Sequence, residues 1–444
     1  MAARRPMSRE RGCWLLAFTF PGQGSQRPAM GASWAEHESF ELVTHASEVV
    51  GFDVAALLLE ADQETLTRTA NAQLATFVTS LVVLDAAERL GLEPAACAGH
   101  SLGEYTALVA TGALSYEDGL RLVCERGAAM QDAADQRPGT MMAVLGLDDD
   151  DVAAACQRSE KDAWVANFNA PGQVVIAGAP DALEEAAAIA RSLGAKRVLA
   201  FPVGGAFHTP YMAPARERLR KALATVSFRE AEPVVVSNVD ARPHPDPADW
   251  PGLLSAQLCG PVRWRQSLAT MHAGGARTFV ELGPGAVLTG LVKRVLPPEG
   301  VTAVSVATPD DLEALVERLA GPPPNPAAHV GERYAMTERL IVSPATGRFR
   351  PESAFATAAP KLTGRATGSG SGSGAGAGAA GSGHGAPAAD ERRDVRVGDL
   401  VGWAGETEIR SAFAGSLEGI LVLPGERVVP GQPVAWLRAS EEQT

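Results

Sequence analysis

From Leu15 to Leu319 the chain alternates two textures. Short β-rich runs (Leu15–Phe20, Met142–Leu145, Val174–Ala177, Pro233–Ser237, Thr278–Glu281) are separated by Ala/Leu/Glu-rich stretches of helical period, such as Leu74–Leu90, Tyr116–Ala134 and Pro180–Leu193. Alternation of this kind predicts an α/β domain with a largely parallel sheet, here spanning residues 13–320. The prolines from Pro322 to Pro326 end the periodicity, so 321–335 reads as a linker. From Gly368 to Gly385 the chain holds only Gly, Ser, Ala and one His, which cannot bury apolar surface.

An internal repeat flanks that coil. Ile341, Ser343 and Gly347 align with Ile409, Ser411 and Gly415; Val395, Gly398, Val401 and Trp403 align with Val428, Gly431, Val434 and Trp436. Each half therefore reads I-x-S-x-x-x-G and V-x-x-G-x-x-V-x-W. Short strands and Gly turns given twice predict a small β-sandwich of two similar halves over 336–440, interrupted by a flexible insertion over about 352–390.

Composition narrows the function. Hydrophobic residues are 46% and charged residues 20% of the 444, so the chain can bury a core, and a net charge of −13 disfavours nucleic acid or an anionic membrane as a partner. No apolar run approaches the ~18 residues of a membrane span, the longest stretches being ones such as Trp14 to Phe20, and the stretch ending at Phe20 lacks a signal-peptide cleavage site. Cys13, Cys97, Cys124, Cys156 and Cys259 are widely spaced and odd in number, which suits reduced thiols in a cytoplasmic protein and no metal site.

Gly99-His100-Ser101-Leu102-Gly103 follows an apolar run and precedes a helical pattern, the strand–turn–helix setting of a G-x-S-x-G nucleophile. The same residues also suit a plain Gly-rich turn with a capping serine. A serine needs a base, and of the eight histidines His208 is best placed, where an apolar strand ends in glycines. His100, beside the serine on a turn, is expected to point away and pack beneath the site. Phe20-Pro21-Gly22-Gln23-Gly24 closes the first strand and could present a backbone N–H to an oxyanion; it lacks the Lys and spacing of a phosphate loop.

These blocks, in this order over about 275 residues, resemble the malonyl-CoA:acyl carrier protein transacylases: F-P-G-Q-G-S-Q (20–26), G-H-S-L-G-E-Y (99–105), L-V-C-E-R-G around Arg126, N-F-N-A-P-G-Q-V-V-I-A-G (167–178), A-F-H (206–208), Q-L-C-G-P-V-R-W (257–264) and E-L-G-P-G-A-V-L-T-G-L (281–291). The resemblance implies Ser101 as acyl acceptor and His208 as its base, oriented by the carbonyl of Gln257 in place of an acid. It implies an oxyanion hole from the N–H groups of Gln23 and Leu102, and Arg126 clamping the malonyl carboxylate with Asn167 and Phe207 in the substrate pocket. Phe207 and Leu102 match the malonyl-selective pattern. The implied fold is an α/β-hydrolase-like large subdomain with a ferredoxin-like small subdomain inserted at about 139–201. The implied partners are malonyl-CoA and an acyl carrier protein; a thioesterase or a non-catalytic docking scaffold are the competing readings.

The repeat at 336–440 resembles biotinyl/lipoyl carrier domains, yet the hairpin Trp403–Glu408 that should carry the attachment lysine has none; beyond Lys293 the sole lysine is Lys361. No biotin or lipoate is expected, and a docking or assembly role is preferred.

Overall fold

The structure is a computed structural model that describes residues 16–159, 161–320, 338–353 and 393–438, in two compact units divided at Pro323. Cys13, the 321–335 linker, Lys361 and nearly all of the 352–390 insertion lie outside the described residues.

The first unit is built on a six-stranded sheet, β10-β9-β1-β2-β7-β8, formed by β1 (Leu16–Phe20), β2 (Ala96–Gly99), β7 (Val234–Val236), β8 (Pro243–His244), β9 (Thr278–Leu282) and β10 (Thr302–Val306). The pairings are parallel except that of β8 with β7. All five residues of β1 are buried, which is why it reads as a continuous apolar run, as strands covered on both faces do. The Thr69–Arg89 helix is long and apolar enough to cross a membrane by length and composition, but most of it is buried: Phe77, Val78, Leu81 and Val82 join the core that holds Phe18 and Phe20. Its apolar residues are interleaved with Thr, Ser and Gln, so it contains no unbroken run.

Met142–Leu145 and Val174–Ala177 do not belong to the parallel sheet that periodicity suggests. They lie in a separate antiparallel sheet, β4-β5-β3-β6, of β3 (Thr140–Leu145), β4 (Ala163–Ala170), β5 (Gln173–Gly178) and β6 (Arg197–Ala200). A tight turn at Pro171-Gly172, with Gly172 at φ +66°, sends β5 back along β4. Apolar strands carry no mark of which partner they will take; the turn decides it. The helices Asp149–Arg158 and Pro180–Ser192 pack on this sheet around Val144, Val174, Ile176, Leu183 and Ala187.

The second unit holds two four-stranded sheets, β11-β18-β16-β13 and β15-β14-β12-β17. Their strands are β11 (Glu338–Val342), β12 (Gly347–Pro351), β13 (Arg393–Val395), β14 (Leu400–Ala404), β15 (Thr407–Arg410), β16 (Gly415–Ile420), β17 (Arg427–Val428) and β18 (Pro433–Arg438). Ile341, Phe349, Val401, Ile409, Val428, Val434 and Leu437 share one core. The repeat is visible as crossed hydrogen bonds. Ser343 N–H donates to Gln432 O and Gly431 N–H to Ser343 O, both at 2.8 Å. The aligned Ser411 donates to Asp399 O at 2.8 Å and accepts from Gly398 N–H at 2.7 Å. Each serine thus docks on the glycine turn of the other copy, and Gly398 and Gly431 hold φ of +92° and +83°. Two half-sheets locked in this way satisfy backbone groups that neither copy satisfies alone.

Candidate active site

Strand β2 ends at Gly99, Ser101 follows at φ +53°, and the Gly103–Ala110 helix begins two residues later. The glycines are a steric requirement. A Cβ on Gly99 would stand 1.8 Å from the Gly103 carbonyl, and one on Gly103 would stand 2.1 Å from the Phe20 carbonyl oxygen. A left-handed non-glycine residue is strained, and such residues persist only where their surroundings hold them. Ser101 N–H is held by Asn238 Oδ1 at 2.7 Å.

His208 is also left-handed, at φ +63°, and only 5% exposed. Its Nε2 lies 2.8 Å from Ser101 Oγ and its Nδ1 lies 2.8 Å from the Gln257 carbonyl oxygen. A carbonyl can only accept, so Nδ1 carries the proton and Nε2 turns its lone pair to the serine hydroxyl. The carbonyl comes from the last residue of the Trp250–Gln257 helix, where main-chain oxygens lack an intrahelical donor. Burial first, and the Arg126 charge second, lower the His208 pKa to about 3, against the opposing bond to Gln257. The imidazole is neutral and ready to accept a proton.

Arg126 projects from the Tyr116–Gln136 helix and is 1% exposed. Its Nη1 donates to Gln73 Oε1 at 2.6 Å; its Nη2 donates to Ser101 Oγ and to Gln257 Oε1, each at 3.0 Å. Nε has no partner, and among the described residues no carboxylate forms an ion pair with the guanidinium. Burial pushes its pKa down. A buried cation hydrogen-bonded only to neutral oxygens, with the Tyr105 ring 5.5 Å from its Cζ, is costly, and an anion arriving beside Ser101 would offset that cost. The nearby Glu104 carboxyl is raised by burial to about 7.

A cleft of about 500 Å³ opens over the serine. Of the residues singled out from sequence, Gln23, Ser101, Asn167, Phe207 and His208 line it; Leu102, Arg126 and Gln257 sit behind its wall. The main-chain N–H groups of Gln23 and Leu102 have no acceptor among the described residues. His100 does not point beneath the site. It lines the cleft, held there by Asn169, whose Oδ1 lies 2.9 Å from its Nε2, and by Trp264, against which its ring packs edge-on. Asn169, Met130 and Met141 also line the cleft, and Gln73 and Asn238 support it; none was singled out from sequence. Asn169 carried a signal, since it lies two residues from Asn167, the spacing of one strand face, and both line the cleft although the β4 register shifts between Phe168 and Ala170. Among the described residues no cluster of three or more His, Cys, Asp and Glu side chains is arranged to hold a metal ion.

Residues 17–317 match the acyl transferase domain family. The malonyl CoA-acyl carrier protein transacylase of Bacillus subtilis (strain 168) is 39% identical over 309 residues, 68% of this chain and 97% of that protein. The crystal structure of an acyl carrier protein S-malonyltransferase from Vibrio cholerae is 40% identical, with a TM-score of 0.65 over 68% of this chain and 99% of that one. A type II polyketide synthase acyl carrier protein in complex with its malonyl-transacylase contains a chain 35% identical, with a TM-score of 0.66 over 68% and 99%. A serine, a neutral histidine and a buried arginine thus meet inside the matched residues, and the chain belongs to the acyl transferase domain family.

Proposed function

We propose that this acyltransferase moves the malonyl group of malonyl-CoA to the pantetheine thiol of an acyl carrier protein through a malonyl ester on Ser101. The observation that carries this reading is Arg126: a buried guanidinium hydrogen-bonded to no carboxylate, 3.0 Å from the Ser101 hydroxyl. An acyl group joined to that oxygen and ending in a carboxylate would give Arg126 its counter-ion.

Ser101 Oγ attacks the thioester carbonyl while His208 Nε2 takes its proton. The oxyanion is met by the N–H groups of Gln23 and Leu102, aided by the N-terminus of the Gly103–Ala110 helix. The carbon–sulfur bond breaks, His208 returns the proton to the leaving sulfur, and CoA departs as its thiol. The carrier thiol then attacks the ester as His208 takes its proton; the serine oxygen leaves and is reprotonated. Gln257 keeps the imidazole in one tautomer, and Asn167 and Phe207 shape the pocket for malonyl. Labelled malonyl-CoA, mixed with the protein with and without a pantetheinylated carrier protein, tests the reading. Label should move to the carrier; release as free malonate alone would make the protein a hydrolase.

The order β–α–β–β–α–β between Thr140 and Ala200 supports a ferredoxin-like small subdomain, set into an α/β-hydrolase-like large one. The crossed repeat supports a biotinyl/lipoyl-like second unit over 336–440. Its β14–β15 hairpin turns at Gly405-Glu406 and offers no amine, so its residues do not fit biotin or lipoate, which attach through a lysine amide. A docking or assembly role is left for this unit.

A further inference from the structure

The strained elbow is stapled by one amide side chain. Asn238 Oδ1 accepts from Ser101 N–H at 2.7 Å, and its Nδ2 donates to Gly99 O at 2.7 Å, bridging the residues on either side of His100. Asn238 is fully buried and is itself held: its N–H donates to Glu104 Oε1 at 2.7 Å. Glu104 Oε2 accepts from Gln257 Nε2 at 2.6 Å, and that same nitrogen reaches Ser101 O at 2.9 Å. Gln257 supplies the carbonyl that orients His208. Both Glu104 oxygens therefore face donors, an arrangement suited to a carboxylate and spoiled by a proton on either oxygen. The charged or titratable groups acting on it are Arg126, from the Tyr116–Gln136 helix, and Tyr105 beside it.

We propose that Asn238 and Glu104 are positioning residues for the transfer: Asn238 sets the attitude of Ser101, and Glu104 ties that amide to Gln257, so nucleophile and base are aligned by one buried network. The inference rests on Ser101 and His208 acting as nucleophile and base, not on the acyl group being malonyl.

The test uses a fluorophosphonate probe on the full chain, followed by intact mass. Ser101 Oγ bonds to phosphorus, fluoride leaves and His208 accepts the hydroxyl proton. Final extent counts competent sites, while the rate constant reads their alignment. Asn238→Ala should reach full extent with a rate constant roughly 10–100-fold lower, the cost of a reacting atom displaced by a fraction of an ångström to an ångström. Glu104→Gln places an NH₂ against either Asn238 N–H or Gln257 Nε2. Its rate should stay at the low-pH value of the unsubstituted protein at every pH, whereas that protein should speed up as Glu104 ionises around pH 7. If Asn238→Ala does not fold, Asn238→Asp keeps the acceptor for Ser101 N–H, sets oxygen against the Gly99 carbonyl, and should show the same fall. A rate constant equal to that of the unsubstituted protein in whichever Asn238 variant folds, or an unchanged pH profile in Glu104→Gln, overturns the proposal. So does a natural-sequence protein that the probe does not label. Labelling without malonyl transfer would overturn only the malonyl reading.

Discussion

Ser101 Oγ and His208 Nε2 meet at 2.8 Å from two backbones that are both left-handed, at φ +53° and +63°. Each such residue costs about 1–3 kcal/mol, so strain is stored on both sides of the contact where a proton must move. Ser101→Gly should therefore melt higher than Ser101→Ala, since both lose the hydroxyl and only glycine relaxes the turn. Calorimetry on the pair checks this; equal melting temperatures would mean that the elbow stores no strain.

Arg126→Ala should lower malonyl transfer by roughly 10²–10⁴-fold in kcat/KM, the rate equivalent of about 3–5 kcal/mol for breaking a buried charge pair. Acetyl-CoA brings no carboxylate and should be used no worse than before. Competition assays with the two thioesters give the ratio directly. An equal loss on both would make Arg126 a structural residue whose work is done through Gln73 and Gln257.

The depressed pKa of His208 has a consequence for stability. The folded protein keeps the imidazole neutral down to about pH 3, while the unfolded chain takes up a proton below its usual 6.5. Between those values the unfolded state binds more protons, so stability is lost as pH falls through this window. Urea midpoints at about pH 7.5 and about pH 5 should drop less in His208→Gln than in the natural sequence. Parallel drops would place the imidazole in a more polar setting than its burial suggests. Acylation by His208→Ala should be slower by roughly 10²–10⁴.

Much of the first unit was legible because its evidence is local. β1 and β9 are short apolar runs next to Gly turns, and Gly99 and Gly103 announce a turn that no larger residue could make. What escaped is non-local. The periodicity of Met142–Leu145 does not say that it pairs with β5 and not with the parallel sheet, which only the family resemblance implies, and nothing in V-V-S-N-V says that Asn238 will cross 137 positions to hold Ser101. His100 is non-local in the same way: its place on a turn beside the serine suggests that it points away, and only its distant partners Asn169 and Trp264 hold the ring at the cleft.

The second unit should prove dispensable for the chemistry. Protein purified from its native host should not bind streptavidin and should show no lipoyl mass, because the hairpin at Gly405-Glu406 has no lysine. A chain ending at Ala320 should still transfer malonyl to free carrier protein, because every residue assigned a chemical role lies upstream. Biotin on the chain, or loss of all activity on truncation, would contradict the accessory reading.

The most direct measurement is the intact mass of the protein after brief exposure to malonyl-CoA. One malonyl adduct should form, should be absent in Ser101→Ala, and should disappear when a pantetheinylated carrier protein is added as the carrier gains the same mass. A full adduct on Ser101→Ala, or an unmodified natural-sequence protein, would contradict the assignment of Ser101 as the acyl acceptor.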